Sequence, residues 1–572
     1  MIGNSQPLIG KDWVPGGVTV TVRSMNHTDI TLADDVEVLK ARIAEQVQEL
    51  AEQQADIAAQ QATITAQKTT IATQQSTITS LSEQLRLFLA RRFGASSERA
   101  QDAQLGLFNE AEQDAEALVD EEVVDAESVE VPAHRRTRPS RKPLSAELPR
   151  ISVVHDLSEA DKICPHDGTA LECIGTVDSE QLDIVPATIR VLHHERRKYA
   201  CPCCKQHMAT APMTAQPIPK SQASPGLLAF VATAKYVDAL PLYRQTQQFK
   251  RLGLDCSRAT LSRWMVRCGA LVQPLINLLR DEMLALDYIH IDETTVQVLK
   301  ESGKAAQSTS YLWAQRSGLP EQPIILFDYD PSRSGEVPKR LLEGFDGYLQ
   351  TDAYAGYNPV VKTQQLTRVL CMAHARRYFT DALKAKGINP NKLPPKPGKG
   401  ERVPIKALNF FKTLYAIERR IREEPPDERY RIRQRDTLPV LDKFKVWIER
   451  TLPRVLASSK LGEALAYAHN HWDGLTRFCD DGRLAIDNNA VENAIRPFCV
   501  GRRNWLFSDS VAGANASARL YSLISTAKAN GLEPYAYLRH VFTELPKAES
   551  LEHIEALLPY RLDPSDLIEH PG

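Results

Sequence analysis

From Val36 onward, apolar residues recur at every seventh position: Val36, Ile43, Leu50, Ile57, Ile64, Ile71, Ile78 and Leu85. Three residues after each come Leu39, Gln46, Gln53, Gln60, Gln67, Gln74, Leu81 and Phe88, so a mostly β-branched a row alternates with a largely glutamine d row. A strict seven-residue period predicts a left-handed coiled coil over residues 36–93, and the stripe is narrower than a helix lying on its own domain needs. β-branched a positions favour two strands, and the polar layers lower stability while setting register. The segment is therefore expected to join protomers into a homo-oligomer. Residues 1–35 lack the pattern and read as a disordered extension; Met25 stands just before the repeat, and translation is expected to start there.

Gly94 and Ser96-Ser97 end the helix, and few apolar clusters follow before residue 155. Ten acids and no base occupy residues 110–130, ahead of Arg135, Arg136, Arg138, Arg141 and Lys142, so 94–155 reads as an acidic, then basic, linker. Its basic arm has the charge to grip DNA phosphates. Further on, Pro225 to Asp238 and Leu242 to Leu252 read as helices. Gly253 turns the chain, and Ser257 caps a third helix from Arg258 to Cys268. This spacing predicts a helix-turn-helix within 213–275. Arg258, Thr260, Ser262, Arg263 and Arg267 are placed to meet phosphates or base edges, with Leu261, Trp264 and Met265 turned inward.

Tyr288 to Val296 alternates and is rich in β-branched residues, which predicts a strand carrying Asp292 in its midst. TSYLWAQ and QPIILFDYD are two further strands, PKRLLEGF is helical, and Tyr348-Leu349-Gln350-Thr351 is a strand that ends at Asp352. Hairpin strands, helix, strand and helix in this order are what a ribonuclease-H-like fold supplies, and they bring the two aspartates onto neighbouring central strands. A third carboxylate completes a metal site. Glu492 is the best placed, early on a helix that Asp487 or Asn488 caps, near the positive end of the helix dipole. Three carboxylates so arranged suit two Mg²⁺ ions serving phosphodiester chemistry, with Asp292 bridging.

Composition bounds the rest. A chain of 572 residues implies three to five domains, and 43% apolar with 25% charged residues excludes wholesale disorder, a collagenous chain and a membrane bundle. No run approaches eighteen apolar residues and the start has no basic flank before an apolar stretch, so the expected location is the cytoplasm. The net charge of −2 hides an asymmetry: residues 1–130 carry 9 bases and 22 acids, which leaves the remainder basic and favours a polyanion partner. All ten cysteines follow residue 163 and five lie between 164 and 204, which points to a metal rather than to disulfides. Cys164-Pro-His166-Asp167 and Cys201-Pro-Cys203-Cys204 form two halves of a zinc-ribbon-like segment over 156–212. Cys164, Cys201 and Cys204 are ligands of a structural Zn²⁺, and Asp167, His166 or His207 supplies the fourth position.

The words HIDETTVQVL, LQTDAYAGYN, CMAHARRYF, AIDNNAVENAIRPFCVGRRNWLFSDSVAGANASA and NGLEPYAYLRHVFTELP resemble those of the insertion-sequence-66 family of bacterial transposases. The resemblance runs from the coiled coil to the C-terminus. It implies a zipper, a zinc-binding segment, a helix-turn-helix and a DDE core whose triad falls on Asp292, Asp352 and Glu492. The implied core spans 276–505 with a helical insertion at about 385–470, and a C-terminal helical element fills 506–572. His374, Arg376 and Arg377 are expected beside the active site, the arginines on phosphates. Arg496, Arg502 and Arg503 are expected to hold the element's end, with Trp505 stacking on an unpaired base. The implied activity is Mg²⁺-dependent cleavage at terminal inverted repeats and transfer of the 3′-hydroxyl strands to target DNA, aided or not by accessory proteins of the same element. The alternatives are a nuclease of the same fold that does not join strands, and a catalytically silent DNA-binding repressor, against which the intact triad argues.

Overall fold

The computed structural model describes residues 35–93, parts of 151–200, and 207–567 apart from 320 and 391–397. The extension before residue 35, the linker over 94–150, and Cys164, Asp167, Cys201 and Cys204 lie outside the described residues.

Helix α1 (Asp35–Phe93) carries the heptad repeat. Ile43, Leu50, Ile57, Ile64, Ile71 and Ile78 keep 49–63% of their surface in solvent, so the single chain leaves this stripe uncovered. Threonines are poor helix formers because their hydroxyls compete for backbone groups. Here Thr63, Thr65, Thr69, Thr70, Thr73 and Thr77 each donate to the carbonyl four residues back, which keeps them within the helix.

Residues 80–567 hold the remaining elements. Strands β1 (Lys198–Ala200) and β2 (Met208–Thr210) pair antiparallel on either side of the 201–207 stretch. Next come helices α2 (Pro225–Tyr236), α3 (Leu242–Arg251), α4 (Arg258–Leu271) and α5 (Gln273–Leu284). Ser257 caps α4 by accepting from Thr260 N at 3.1 Å. Strands β3 (Tyr288–Lys300), β4 (Thr309–Ser317) and β5 (Ile325–Asp330) form an antiparallel meander. Helix α6 (Glu336–Leu341) leads to β6 (Tyr348–Thr351), and α7 (Asn358–Thr363) to β7 (Thr367–Leu370). β6 runs parallel to β3, and β7 parallel to β6, giving the order β5-β4-β3-β6-β7.

Helix α8 (Met372–Lys384) follows β7 and opens the insertion, whose main helices are α9 (Lys399–Arg420), α10 (Leu438–Thr451) and α11 (Lys460–Asn470). They bury an aromatic core of their own, with Phe379, Phe411 and Phe444 mutually in contact. Arg433 is fully buried, paired with Glu418 at 2.7 Å and donating to the carbonyls of Phe478, Asp481 and Leu484, so it ties the insertion to the segment leading toward Glu492. The chain returns through α12 (Asn489–Trp505) and β8 (Ser508–Ser510), which pairs with the far end of β3, and ends in α13 (Val511–Ala529), α14 (Pro534–Glu544) and short turns.

Helices α2–α4 and the C-terminal helices, separate segments in the sequence, share one core with the sheet. Helix α13 links them. On one side it closes the edge strand β5: Ile325 N donates to Thr526 Oγ1 at 3.0 Å and Phe327 N to Ser522 Oγ at 2.7 Å, which satisfies groups an edge strand would otherwise leave open. On the other side it crosses α4 so closely that a Cβ on Gly269 would stand 2.6 Å from Ala516 Cα. No described helix is long and apolar enough to cross a membrane.

Candidate active site

β3 and β6 are in parallel register, with Tyr288 opposite Tyr348, Ile289 opposite Leu349 and His290 opposite Gln350. Two positions further on stand Asp292 and Asp352, level with one another and on the same face because side chains alternate along a strand. The two aspartates therefore sit side by side where the parallel pair ends. Asp292 Oδ1 accepts from Glu293 N at 2.8 Å, and Asp352 Oδ1 accepts from Tyr354 N at 2.9 Å. Arg368 holds the Asp352 turn, donating to Thr351 Oγ1 and to the carbonyls of Asp352 and Tyr354 at 2.7–2.8 Å.

Glu492 arrives from α12, in whose first turn it lies. The loop before it is clamped from three directions. Asn488 Nδ2 donates to Ile291 O at 3.1 Å, its Oδ1 is 3.0 Å from His290 Nδ1, and its backbone N–H points at Cys371 Sγ, 3.2 Å away. Gln350 Nε2 donates to Ala485 O at 3.0 Å and Ala485 N to Tyr288 Oη at 2.9 Å. Tyr415, from the insertion, donates to Asp487 Oδ2 at 2.8 Å.

The three carboxylates feel one another. Burial, then Glu492, Glu293 and Asp352, push the Asp292 carboxyl well above the usual carboxylate range. Burial, partly offset by Arg377, raises Glu492 to about 7. Glu492 is only 4% exposed, yet its Oε1 has no hydrogen-bond partner. A buried charged oxygen without a donor is costly, and several converging carboxylates repel. A divalent cation removes both penalties, so Asp292, Asp352 and Glu492 fit Mg²⁺, a hard ion bound through carboxylate oxygens. Glu293, the neighbour of Asp292, is not part of this set: Arg333 and Tyr357 hold its oxygens at 2.6 Å each.

His374 Nδ1 lies 3.7 Å from Glu492 Oε1 and Arg377 Nη2 3.9 Å from Oε2. Burial and Arg377 lower the His374 imidazole to about 4, so it is neutral near pH 7. Arg376 departs from expectation. It is buried at 5% exposure, because consecutive helical residues point about 100° apart, and it is not available to a phosphate. Trp505 departs as well: its ring packs edge-on against Phe498 with centroids 5.3 Å apart, and Lys235 Nζ lies 5.1 Å from it. The exposed apolar pair at this end of α12 is instead Leu506 and Phe507. Arg502 donates to Thr295 Oγ1 at 3.0 Å, Arg496 is half-buried, and Arg503 is exposed.

On α4, Arg258, Ser262, Arg263 and Arg267 are exposed and Thr260 is half-buried, while Leu261, Met265 and Cys268 are in the core and Trp264 packs against it. Among the residues the sequence did not single out are Tyr415, Arg433, Arg368 and Cys371. Their roles depend on partners more than a dozen residues away.

A model described as "Transposase IS66 family" matches residues 220–516, and one for the IS66 C-terminal element matches 522–560. A zinc-finger binding domain of transposase IS66 matches 161–205, which takes in Cys164, Asp167, Cys201 and Cys204 and supports a structural Zn²⁺. A segment described as "Transposase C of IS166 homeodomain" matches 80–153, so most of the heptad repeat lies upstream of it. The chain is 32% identical to "Uncharacterized protein y4jD" of Sinorhizobium fredii (strain NBRC 101917 / NGR234), over 73% of this chain and 81% of the relative. It is 30% identical to "Uncharacterized protein y4qI" of the same organism, over 93% and 98%. No solved structure matches the chain.

Proposed function

The chain belongs to the IS66 family of transposases, and from that premise we propose that it cleaves the ends of an insertion sequence and transfers the freed 3′-hydroxyl strands to target DNA. The observation that carries this reading is that the β3–β6 register ends two residues before both Asp292 and Asp352, whose charges act on one another and on Glu492, a buried acid with a donorless oxygen. A meander followed by two strands parallel to its first is the order of a ribonuclease-H-like core, which supports the same chemistry.

In this reading Asp292, Asp352 and Glu492 hold two Mg²⁺ ions. When bound, Mg²⁺ supplies Lewis acidity at the scissile phosphate and makes a bound water or 3′-hydroxyl more acidic. The chain's own residues hold and orient. Asn488 fixes α12 against β3, Arg368 fixes the Asp352 turn, and Arg377 sits at the mouth of the site, 45% exposed, where it meets a phosphate. Exposed Arg503 extends positive charge along α12. The exposed face of α4 is the DNA-reading surface for the terminal inverted repeats, and the uncovered stripe of α1 pairs with a second copy of the chain.

The test uses labelled DNA carrying the element's own ends, scored for nicks and for joined products with and without Mg²⁺. Joining that needs Mg²⁺ and is lost in Asp292→Asn and Glu492→Gln, with end binding retained, is the expected result. Cleavage without joining would establish a nuclease instead. End binding without cleavage, unchanged when the element's other products are added, would establish a repressor.

A further inference from the structure

Beside the carboxylates lies a donor set of a different chemical kind. Cys371 closes β7 and caps α8, His374 follows three residues later, and Glu492 faces them from α12. A sulfur, an imidazole nitrogen and a carboxylate oxygen from these residues lie within 4.8 Å of one another. Two of the three donors are idle: Glu492 Oε1 and His374 Nδ1 are both enclosed and without hydrogen-bond partners. The third, Cys371 Sγ, is fully buried, and the amide of Asn488 points at it from the start of α12.

We propose that Cys371, His374 and Glu492 form a thiophilic metal site that takes Zn²⁺ or Cd²⁺ in preference to Mg²⁺, and that its occupation withdraws Glu492 from the catalytic carboxylates. Thiolate and imidazole select the softer ions, whereas Mg²⁺ prefers oxygen donors and octahedral geometry. Three protein donors of mixed S, N and O type match a four-coordinate zinc ion whose remaining position holds water. His374 is already neutral, so its ring nitrogen is ready to bind. Burial and the carboxylates of Glu492 and Asp487 hold the Cys371 proton on, so metal entry releases one proton to solvent. Metal binding follows from the three side chains alone. The regulatory consequence rests on Glu492 being catalytic, as proposed above.

The test counts metal. Full-length chain is exposed to Cd²⁺ or Zn²⁺, dialysed against Mg²⁺ buffer and analysed for bound ion by mass spectrometry. The unaltered chain is expected to keep one equivalent more than Cys371→Ser, and the Cys201→Ser/Cys204→Ser variant to keep that equivalent while losing the one held by the finger segment. Equal metal content in the unaltered chain and Cys371→Ser would overturn the site. If Cys371→Ser does not fold, Glu492→Gln decides: loss of the equivalent supports the site and retention overturns it. These counts do not depend on whether the chain cleaves DNA. In a Mg²⁺-driven cleavage assay, the Zn²⁺ concentration for half-inhibition, each variant scaled to its own uninhibited rate, should rise at least about tenfold in Cys371→Ser, near 1.4 kcal/mol of binding. Equal inhibition of both proteins would overturn the regulatory half.

Discussion

Tyr415 and Asp487 are joined by a 2.8 Å hydrogen bond between the helical insertion and the loop that delivers Glu492. The phenol is fully buried, and the other oxygen of Asp487 accepts from Asn489 N at 3.1 Å, so one carboxylate serves both the insertion and the start of α12. With Arg433 pinned to the carbonyls at 478–484, this makes the insertion a buttress for Glu492. Tyr415→Phe removes only the hydroxyl and takes away one of the donors to Asp487 Oδ2, which still accepts from Asn489 Nδ2 at 2.9 Å. Stability should fall by about 1–3 kcal/mol in denaturant unfolding. Mg²⁺-dependent cleavage should fall further than end binding does, because α12 loses part of its anchor.

Asp352 and Glu293 are both acids next to Asp292, and the structure gives them different surroundings: Arg333 and Tyr357 hold Glu293. Asp352→Asn should cost strand cleavage about a thousandfold or more, some 4 kcal/mol, with end binding unchanged in a gel-shift titration. Glu293→Gln should keep most of the activity, because its side chain is spent on Arg333 and Tyr357. Loss in both variants alike would remove the distinction drawn from the geometry.

The Glu492 carboxyl, raised to about 7 by burial, makes metal-free stability depend on pH. Its ordinary value is near 4.5, so between about 4.5 and 7 the folded chain binds a proton that the unfolded chain has released. Stability from this group is therefore present at low pH and is lost as pH rises through about 7, by up to about 3 kcal/mol. In EDTA, the melting temperature of the unaltered chain should fall relative to that of Glu492→Gln as pH goes from 5 to 8. Saturating Mg²⁺ should shrink that difference by holding the carboxylate ionised. A constant difference across pH would show that Glu492 titrates normally.

If α4 reads the element's ends as proposed, its exposed basic residues should set the salt dependence of end binding. Replacing Arg263 or Arg267 by Ala should lower affinity and reduce the slope of log K against log salt by about one for each phosphate no longer neutralised. A variant that loses affinity for the inverted repeat but not for unrelated DNA would identify a base contact. Replacing Arg376 should act differently: the protein should lose stability, not salt-dependent binding, because that side chain is buried.

The uncovered stripe of α1 predicts its own effect. Ile57→Asp with Ile64→Asp places charges at two a positions of a seam already diluted by glutamine, and should dissociate the oligomer in sedimentation analysis while leaving the melting of residues 80–567 unchanged. An unaltered chain that sediments as a monomer at micromolar concentration would instead leave the stripe without a partner.

Much of the architecture is readable locally. The third helix, expected at Arg258 to Cys268, runs Arg258–Leu271 with Ser257 as its cap. The strand carrying Asp292 and the strand that ends just before Asp352 lie where the sequence places them, and Glu492 sits in the first turn of its helix. The misplacements have simple causes. Arg376 and Arg377 are one residue apart, and only the packing of α8 decides which of two directions enters the core. Trp505 suggests base stacking by residue type alone, but Phe498, two turns back on the same helix, and Lys235 from α2 already engage its ring.

Periodicity, capping and turn residues are short-range signals, and they are enough to determine the coiled-coil repeat, the helical trio, the strand succession and the three acids. The tertiary structure alone decided the register of β6 on β3, the joining of the helical trio to α13 through Gly269 and Ala516, and the bracing of Glu492 by Asn488 and Tyr415. Each of these contacts depends on two surfaces fitting after distant segments meet: 60 residues separate Asp292 from Asp352 and 140 separate Asp352 from Glu492. No local pattern of one chain encodes which face, edge or hydroxyl will be opposite it.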